Sequence, residues 1–347
     1  HHLFTETYHH RPAYRSLSKL SEYFPHAQIL ACTATAPDQA GEHISAELGL
    51  DSLVIDETRR PNLRLVDRRG ETGKAAALMP LVAALETCLI YVNSREAARL
   101  LCRQLRKACP DDAESIGFYH AGLEDQERMR IEAEYPNGSL RLLFATSAFG
   151  EGVNLPNLRH VVFWDTPLSP TAFVQMAGRA GRDGQEAWVH LLFGAADIQA
   201  SRRLVSSRAP KRSDLEFLYR YLRAVQRSQG SIALSDDALV AGIKLADPES
   251  ELDIRQLQAA LIIFAELALI AVSYEDTSRV IELPANSDKV DLEDSSYYLE
   301  ALGELEAFDN FVEWALSQEP TLLEDFIQRP LLPLRTLQRG RVFGQEQ

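Results

Sequence analysis

The stretch QMAGRAGRDG, residues 175–184, sets Arg179 and Arg182 three residues apart, with Gly178, Ala180 and Gly181 leaving space around them. Read as a helix, it puts both arginines on one face, because residues at i and i+3 are neighbours there. Planar guanidinium forks match phosphate oxygens better than an ammonium does, so one reading is a phosphate site. A surface turn with two solvated arginines reads equally well from the stretch alone, since glycine and arginine are common near helix ends. The surrounding chain has to decide.

Between about residues 60 and 205 the chain alternates short β-rich runs with helical segments, the pattern of a parallel sheet wrapped by helices. CLIYVNS (88–94), SIGFYHAG (115–122), RLLFATS (141–147), HVVFWDT (160–166) and AWVHLLF (187–193) read as strands, and EAARLLCRQLRKA (96–108) as an amphipathic helix. Each apolar run ends in small or polar residues, and open α/β sheets hold ligands at the carboxyl ends of their strands. Upstream, HAQILACTATA (26–36) reads as one more strand and loop, followed by a helix and the strand-like LVID (53–56). After Pro210 the pattern changes: helices over 213–228, 235–245 and 254–269, a hairpin over 271–283, and a long helix over 295–317. Three helices and a hairpin suggest a winged-helix unit with a helical extension.

The chain has 347 residues, 46% of them hydrophobic, enough for two or three ordinary globular cores. No apolar run reaches the roughly 18 residues that a membrane span needs. The longest, AALIIFAELALIAV (259–272), is interrupted by Glu266. No signal peptide is legible, and no membrane partner is expected. Cys32, Cys88, Cys102 and Cys109 form no C-x2-C pair, so they read as reduced core thiols of a cytoplasmic protein, with no zinc site and no disulfide framework. The net charge of -14 is uneven: residues 1–212 carry 25 Lys+Arg of the 36 and 25 Asp+Glu of the 50, leaving 11 against 25 for residues 213–347. An acidic module of that kind repels phosphate backbones and is a poor duplex grip.

The order of motifs resembles RecQ-type DNA helicases of superfamily 2. ACTATA (31–36) is similar to their motif III, and RRPNLRL (59–65) to the link between two RecA-like domains. IYVNSREAA (90–98) resembles motif IV and YHAGL (119–123) the family loop that follows it. ATSAFGEGVNLPNLRHVV (145–162) resembles motif V, and the opening stretch motif VI. Each piece is weak alone; their collinearity over residues 9–195 is specific.

The resemblance implies that Arg182 and Arg179 reach across an interdomain cleft to ATP, with Gln175 beside them coupling nucleotide to DNA. Arginine supplied from a second body stabilises charge on a transferring phosphoryl group and makes hydrolysis depend on domain closure. It also implies nucleotide-side positions at Gly150, Gly152 and Asn154, and contacts to one DNA strand from Asn93, Ser94, Arg95, His120 and Thr146, with Thr33 and Thr35 linking ATP state to DNA. Short hydroxyl and amide side chains touch phosphate and sugar without reading bases. Plainer readings stand beside these: Thr33 and Thr35 as helix caps, Asn93 and Ser94 as a strand end, His120 as a satisfied loop histidine, and Gly150 and Gly152 as residues required by backbone conformation.

The chain departs from the family in four places. GETGKA (70–75) imitates a phosphate-cradling loop, but Arg68 stands where the first glycine belongs, Ala75 replaces the magnesium-binding hydroxyl, and the segment lies between motifs III and IV. No D-E-x-H stretch precedes motif III. HLFTETYHHRPAY (2–14) occupies the place of the family's aromatic-rich loop, with Phe4, Tyr8 and Tyr14 but with Glu6 and His10 where large aromatics are expected. The four-cysteine zinc module that often follows motif VI is missing, as no cysteine follows Cys109. The acidic tail, whose helix aligns Leu299, Leu302, Leu305, Phe308, Phe311, Val312 and Leu316, resembles C-terminal extensions of bacterial single-strand-specific exonucleases of the RecJ type. That stripe reads as core packing or as a partner-binding face.

The expected fold is therefore α/β, a RecA-like parallel sheet flanked by helices, followed by a mostly helical winged-helix-like domain. The expected domains are 1–58, the remnant of a first RecA-like domain; 59–208, a complete second one; and 209–347, the acidic domain. The expected function is the C-terminal part of an ATP-dependent DNA helicase acting in repair or recombination. ATP and Mg2+ would be held mainly by the first domain, and single-stranded or partly duplex DNA would be the partner. The residues alone are expected to turn over no ATP. The alternative is a non-catalytic helicase-like module that positions a fused or associated nuclease.

Overall fold

The computed structural model describes residues 19, 23–24, 26–32, 44–46, 48–52, 54, 58–149, 155, 157–275, 278–285 and 290–329. Thr33, Thr35, Gly150, Gly152, Asn154 and the 2–14 segment lie outside the described residues. The described chain divides into two compact units, one containing residues up to Ser201 together with the stretch from Phe311 onward, the other running from Arg202 to Asn310.

The first unit is built on six parallel strands, β1 (Leu63–Asp67), β2 (Cys88–Tyr91), β3 (Ile116–Tyr119), β4 (Leu142–Ala145), β5 (His160–Phe163) and β6 (Ala187–Leu191), in the order β1-β6-β5-β2-β4-β3. Strands β2, β4 and β5 are buried throughout, which is why CLIY, LLFA and HVVF read as continuous apolar runs rather than as alternation. The intervening helices are α1 (Lys74–Ala83), α2 (Arg95–Ala108), α3 (Asp125–Glu134) and α4 (Pro170–Ala177), with α5 (Ala195–Ser206) after β6. Ser94 caps α2 by accepting from the Ala97 N–H at 3.0 Å, and Ser169 caps α4 likewise at Ala172, with Pro170 in the first helical turn. Cys88, Ile90, Val92, Leu142, Phe144 and Val162 form one core with Leu78 and Leu81 of α1 and Ala98, Cys102 and Leu105 of α2.

One expectation fails at the start. Ala27–Cys32 is not a strand: no described strand lies beside it, and a strand persists only through its ladder partners. Conversely, RRPNLRL is more than a link, since its second half is the edge strand β1. Cys88, Cys102 and Cys109 are buried as expected, whereas Cys32 is exposed and so is not a core thiol.

The edge of β1 is covered from the far end of the chain. Helix α9 (Ser296–Ser317) leads to α10 (Pro320–Gln328), whose Glu324 carboxylate accepts the Leu65 N–H at 2.7 Å and whose Gln328 amide donates to Leu63 O at 2.8 Å. Arg59 pairs with Asp325 at 3.2 Å, and the Arg60 N–H donates to Gln328 O at 2.8 Å. An exposed edge would leave unpaired backbone groups, and α10 satisfies them with side chains instead of a seventh strand. Beneath it an aromatic pile runs from Phe163 through Phe173 to Phe326 and Trp314, with centroids 5.1, 6.2 and 4.7 Å apart.

A histidine pair links two neighbouring strands, His160 at the start of β5 and His190 near the end of β6. His160 on β5 stacks on Trp188, and its ring nitrogens lie 3.0 Å from His190 Nε2 and 2.8 Å from Glu86 Oε2. Burial lowers both pKa values, His190 to about 3, helped by His160 and Arg68; for His160, Glu86 opposes the shift and Arg159 adds to it. Above the unfolded value near 6.5 both rings are neutral in either state, so their contribution to stability is complete there. As pH falls from about 6.5 toward 3 the unfolded chain binds the protons first, and stability drops by up to about 1.4 kcal/mol per pH unit per histidine. The urea midpoint should therefore fall between pH 7 and pH 5, and fall less in His190→Gln; equal slopes would refute the assignment.

The second unit contains α6 (Arg212–Gln229), α7 (Asp236–Ala246), α8 (Ile254–Glu266) and the hairpin β7 (Ala271–Glu275) and β8 (Ser278–Glu282), in the expected order. Asp253 and Gln256 form a reciprocal capping box at the start of α8. Ile232 bridges Ile281, adding a third backbone segment to the hairpin. Leu218, Leu222, Leu239, Ile243, Leu257, Ile263 and Phe264 are its core. Several of its arginines are engaged by its own acids: Arg202 with Asp309, Arg208 with Glu304 and Arg279 with Asp236. In α9 the apolar stripe divides: Phe308, Phe311 and Val312 are buried, while Leu299, Leu302 and Leu316 are exposed. Among the described residues no helix is long and apolar enough to cross a membrane.

Candidate functional site

The opening stretch is not one helix. Helix α4 ends at Ala177, and residues 178–183 form successive turns, so Gln175 is helical while Arg179 and Arg182 lie beyond the helix. The Arg179 and Ala180 amides bond three residues back, to Met176 O and Ala177 O. Gly181 then adopts φ +56°, where an L side chain is strained, and the turn is closed by its amide donating to Leu158 O at 2.8 Å. A Cβ at Gly181 would stand 2.6 Å from Asn62 Nδ2 and 2.7 Å from Gln185 O.

Two residues of the expected link hold this turn. Arg60 donates from Nη1 to Gly178 O at 2.6 Å and from Nη2 to Ala180 O at 2.5 Å. Asn62 Nδ2 donates to Gly181 O at 2.8 Å and to Gln185 O at 2.9 Å. Carbonyls that a continuing helix would have used internally are thereby satisfied from outside.

Three guanidinium groups gather as a result. Arg182 is exposed, yet partial desolvation and then the neighbouring Arg179 lower its pKa. Burial and then Arg182 lower that of Arg60, against the pull of Asp183. Asp183 itself is held by Arg159 at 2.5 Å, and among the described residues Arg182 has no carboxylate partner. Arg179 is half-buried beside the Tyr91 hydroxyl, whose pKa burial pushes up to about 12 although both arginines favour its ionised form. Guanidinium groups concentrated at one turn, with no carboxylate paired to Arg182 among the described residues, are the chemistry of an anion site. Nothing in it resembles a metal site: among the described residues no group of three His, Cys, Asp or Glu is placed to hold an ion.

The remaining expected residues lie at the other end of the sheet. The arginine turn joins the amino ends of β5 and β6, whereas Asn93 and Ser94, His120 and Thr146 follow the carboxyl ends of β2, β3 and β4, three adjacent strands. Asn93 gives both amide hydrogens to the fold, to Thr166 O at 2.8 Å and Ser201 Oγ at 2.9 Å, and its backbone N–H to Asp165 at 2.7 Å. Among the described residues no donor reaches its amide oxygen. Ser94 Oγ accepts as a helix cap and keeps its own hydrogen to donate. Arg95 is exposed and lies against Gly122, where a Cβ would stand 2.7 Å from its Nη1. His120 is buried, and neither ring nitrogen has a hydrogen-bond partner among the described residues. Its pKa is lowered by burial, then by Arg95 and Arg99, which keeps it neutral near pH 7. The Thr146 N–H donates to Tyr119 O, tying the ends of β3 and β4 together.

Lys74, the lysine of the imitation phosphate loop, is spent on the fold. It pairs with Asp197 at 2.5 Å, donates to Trp164 O at 2.8 Å and lies 5.2 Å from the Trp164 ring. Asp197 also accepts the Gly194 N–H at 2.7 Å. Lys74→Met should leave the KM for ATP of the full-length gene product within about twofold and cost roughly 1–3 kcal/mol of stability, because it strands a largely buried carboxylate. A large rise in KM with no loss of stability would reinstate the loop.

Sequence reasoning missed Arg60, Asn62 and Tyr91. Their only signal was polar residues lodged directly before a strand, and one tyrosine in an otherwise aliphatic strand.

Residues 73–184, which end at the arginine turn, match the family model "Helicase conserved C-terminal domain". The chain is 35% identical over 191 residues to the ATP-dependent DNA helicase RecQ of Pasteurella multocida, covering 54% of this chain and 29% of that protein. It is 33% identical over 190 residues to RecQ of Haemophilus influenzae, at 54% and 30% coverage. It is 29% identical over 221 residues to the probable ATP-dependent DNA helicase RecS of Bacillus subtilis, at 62% and 44%. Residues 73–184 thus match a helicase C-terminal domain, the chain is similar in sequence to RecQ-type helicases, and it spans less than half the length of these relatives.

Proposed function

We propose that this chain supplies the second RecA-like lobe and an acidic accessory domain of an ATP-dependent, RecQ-type DNA helicase acting in repair or recombination. The supporting observation is the arginine turn, where Arg179 and Arg182 are held by backbone-directed clamps and Arg182 has no described carboxylate partner. ATP would bring a transferable phosphoryl group, and magnesium would be held elsewhere, since these residues offer guanidinium groups and not a carboxylate cluster. In the resting turn Arg182 carries a cost from its cationic neighbours, and a phosphate placed there relieves it. Closure of the lobes would bring the pair to the phosphate; reopening would withdraw it.

On the same reading, Ser94, Arg95, His120 and Thr146, past the ends of adjacent strands, follow one DNA strand through phosphate and sugar, with Asn93 contributing its amide oxygen. The second unit is proposed as winged-helix-like, an accessory domain whose arginines are in part neutralised by its own acids.

The test is ATP turnover by the full-length gene product with and without single-stranded DNA. Turnover stimulated by DNA is expected. Its absence would end the motor reading in favour of a non-catalytic helicase-like module serving a nuclease. The 347-residue chain alone should bind single-stranded DNA weakly, with affinity falling steeply between 50 and 200 mM salt. Tight binding that ignores salt would overturn the assigned phosphate contacts.

A further inference from the structure

We infer that Arg60 and Asn62 are positioning residues for the arginine turn, acting on hydrolysis through Arg182 without touching nucleotide. The inference rests on the nucleotide role proposed for Arg179 and Arg182, and goes beyond it by assigning a function to the segment that precedes β1.

Four observations carry it. The Arg60 guanidinium bridges Gly178 O and Ala180 O, the carbonyls on either side of Arg179, so the fork sets the spacing of the peptide units that aim both arginines. Asn62 bridges Gly181 O and Gln185 O, closing the turn around Arg182. With Nη1 and Nη2 each anchored to one of these carbonyls, Arg60 is held against the turn and adds charge beside Arg182. Finally, the backbone of Arg60 is itself fixed, by its N–H to Gln328 O on α10 and by the Leu63 N–H to its own carbonyl at 3.1 Å. The chain from α10 through Arg60 to the turn is an unbroken series of hydrogen bonds. Its physical purpose is preorganisation: a finger residue contributes to rate only if no reorganisation is needed when charge develops.

Lysine at position 60 keeps the charge but offers a single donor point, which cannot span two carbonyls as a planar fork does. Aspartate at position 62 keeps the shape and turns two donors into acceptors facing carbonyl oxygens. In the full-length gene product, Arg60→Lys and Asn62→Asp should each lower the DNA-stimulated kcat about 10²-fold, the cost of misplacing a catalytic group by about an ångström. KM for ATP and affinity for single-stranded DNA should stay within about twofold, and circular dichroism should report a folded chain.

The decisive measurement is a double-mutant cycle with Arg182→Ala. If Arg60 acts through Arg182, Arg60→Lys costs little further in that background. Losses that multiply in the double variant, or an Arg60→Lys enzyme with normal kcat beside an impaired Arg182→Ala, would overturn the inference and leave the nucleotide role standing. Normal turnover in Arg182→Ala would overturn both. Should Arg60→Lys fail to fold, the same cycle run with Asn62→Asp decides by the same criteria.

Discussion

Arg182→Ala should reduce the DNA-stimulated turnover of the full-length gene product by about 10³-fold or more, with the KM for ATP changed far less. The argument is electrostatic. Arg182 is exposed, is flanked by Arg179 and Arg60, and among the described residues has no carboxylate to offset its charge. Such a charge is stabilised when phosphoryl oxygens become more negative, which is the condition of the transition state and not of the bound substrate. The loss should therefore appear in kcat. Arg182→Lys should recover only part of it, because an ammonium replaces a two-pronged donor by a point charge. Arg179→Ala should also lower kcat and in addition perturb the fold, since Arg179 is half-buried beside Tyr91. Steady-state assays over a range of ATP concentrations separate these outcomes, and an Arg182→Ala enzyme with normal kcat would refute the role.

Gly181→Ala is the second large effect, and it acts on structure before chemistry. At φ +56° the alanine pays roughly 1–2 kcal/mol for the left-handed backbone. Its methyl group also meets Asn62 Nδ2 at 2.6 Å, Gln185 O at 2.7 Å and Ala187 Cβ at 3.0 Å, an overpacking of backbone and clamp that adds about 1–3 kcal/mol. A total near 2–5 kcal/mol is a large part of an ordinary domain's stability. Relief by movement of Asn62 would displace the clamp, so turnover should fall even in molecules that remain folded. Urea unfolding of this chain measures the first effect and turnover per folded molecule the second. Unchanged values for both would mean that the turn is not built as described.

How much of this was legible beforehand differs by element. Strands β2, β4 and β5 were readable because burial on both faces leaves an uninterrupted apolar run, β6 because its burial alternates along AWVHL, and α2 because its apolar residues recur at helical spacing. The edge strand β1 was read as a link because RRPNLRL has neither pattern: its one fully buried residue is Leu63, and its backbone groups are satisfied by α10, more than 250 residues away in sequence. The two arginines were identified by type and spacing, but their helix was an overextension. Local propensity allows α4 to continue past Ala177; the pull of Arg60 and Asn62 on the carbonyls of Gly178, Ala180 and Gly181 ends it.

Asn93 shows the converse. Its place after a strand was legible, yet its two donors are consumed by Thr166 and Ser201, which only packing brings near. Lys74 likewise reads as part of an imitation phosphate loop until Asp197 and Trp164 are seen to claim it.

What the amino-acid order determined by itself is the alternation of elements and the chemical type of the residues at their ends, because periodicity and side-chain chemistry are local properties. Which way those residues face, and which of their hydrogen bonds remain to offer a ligand, was decided by tertiary structure alone. A donor is available only if no distant acceptor has taken it, and those acceptors are brought within reach only when the sheet, the arginine turn and α10 have closed on one another.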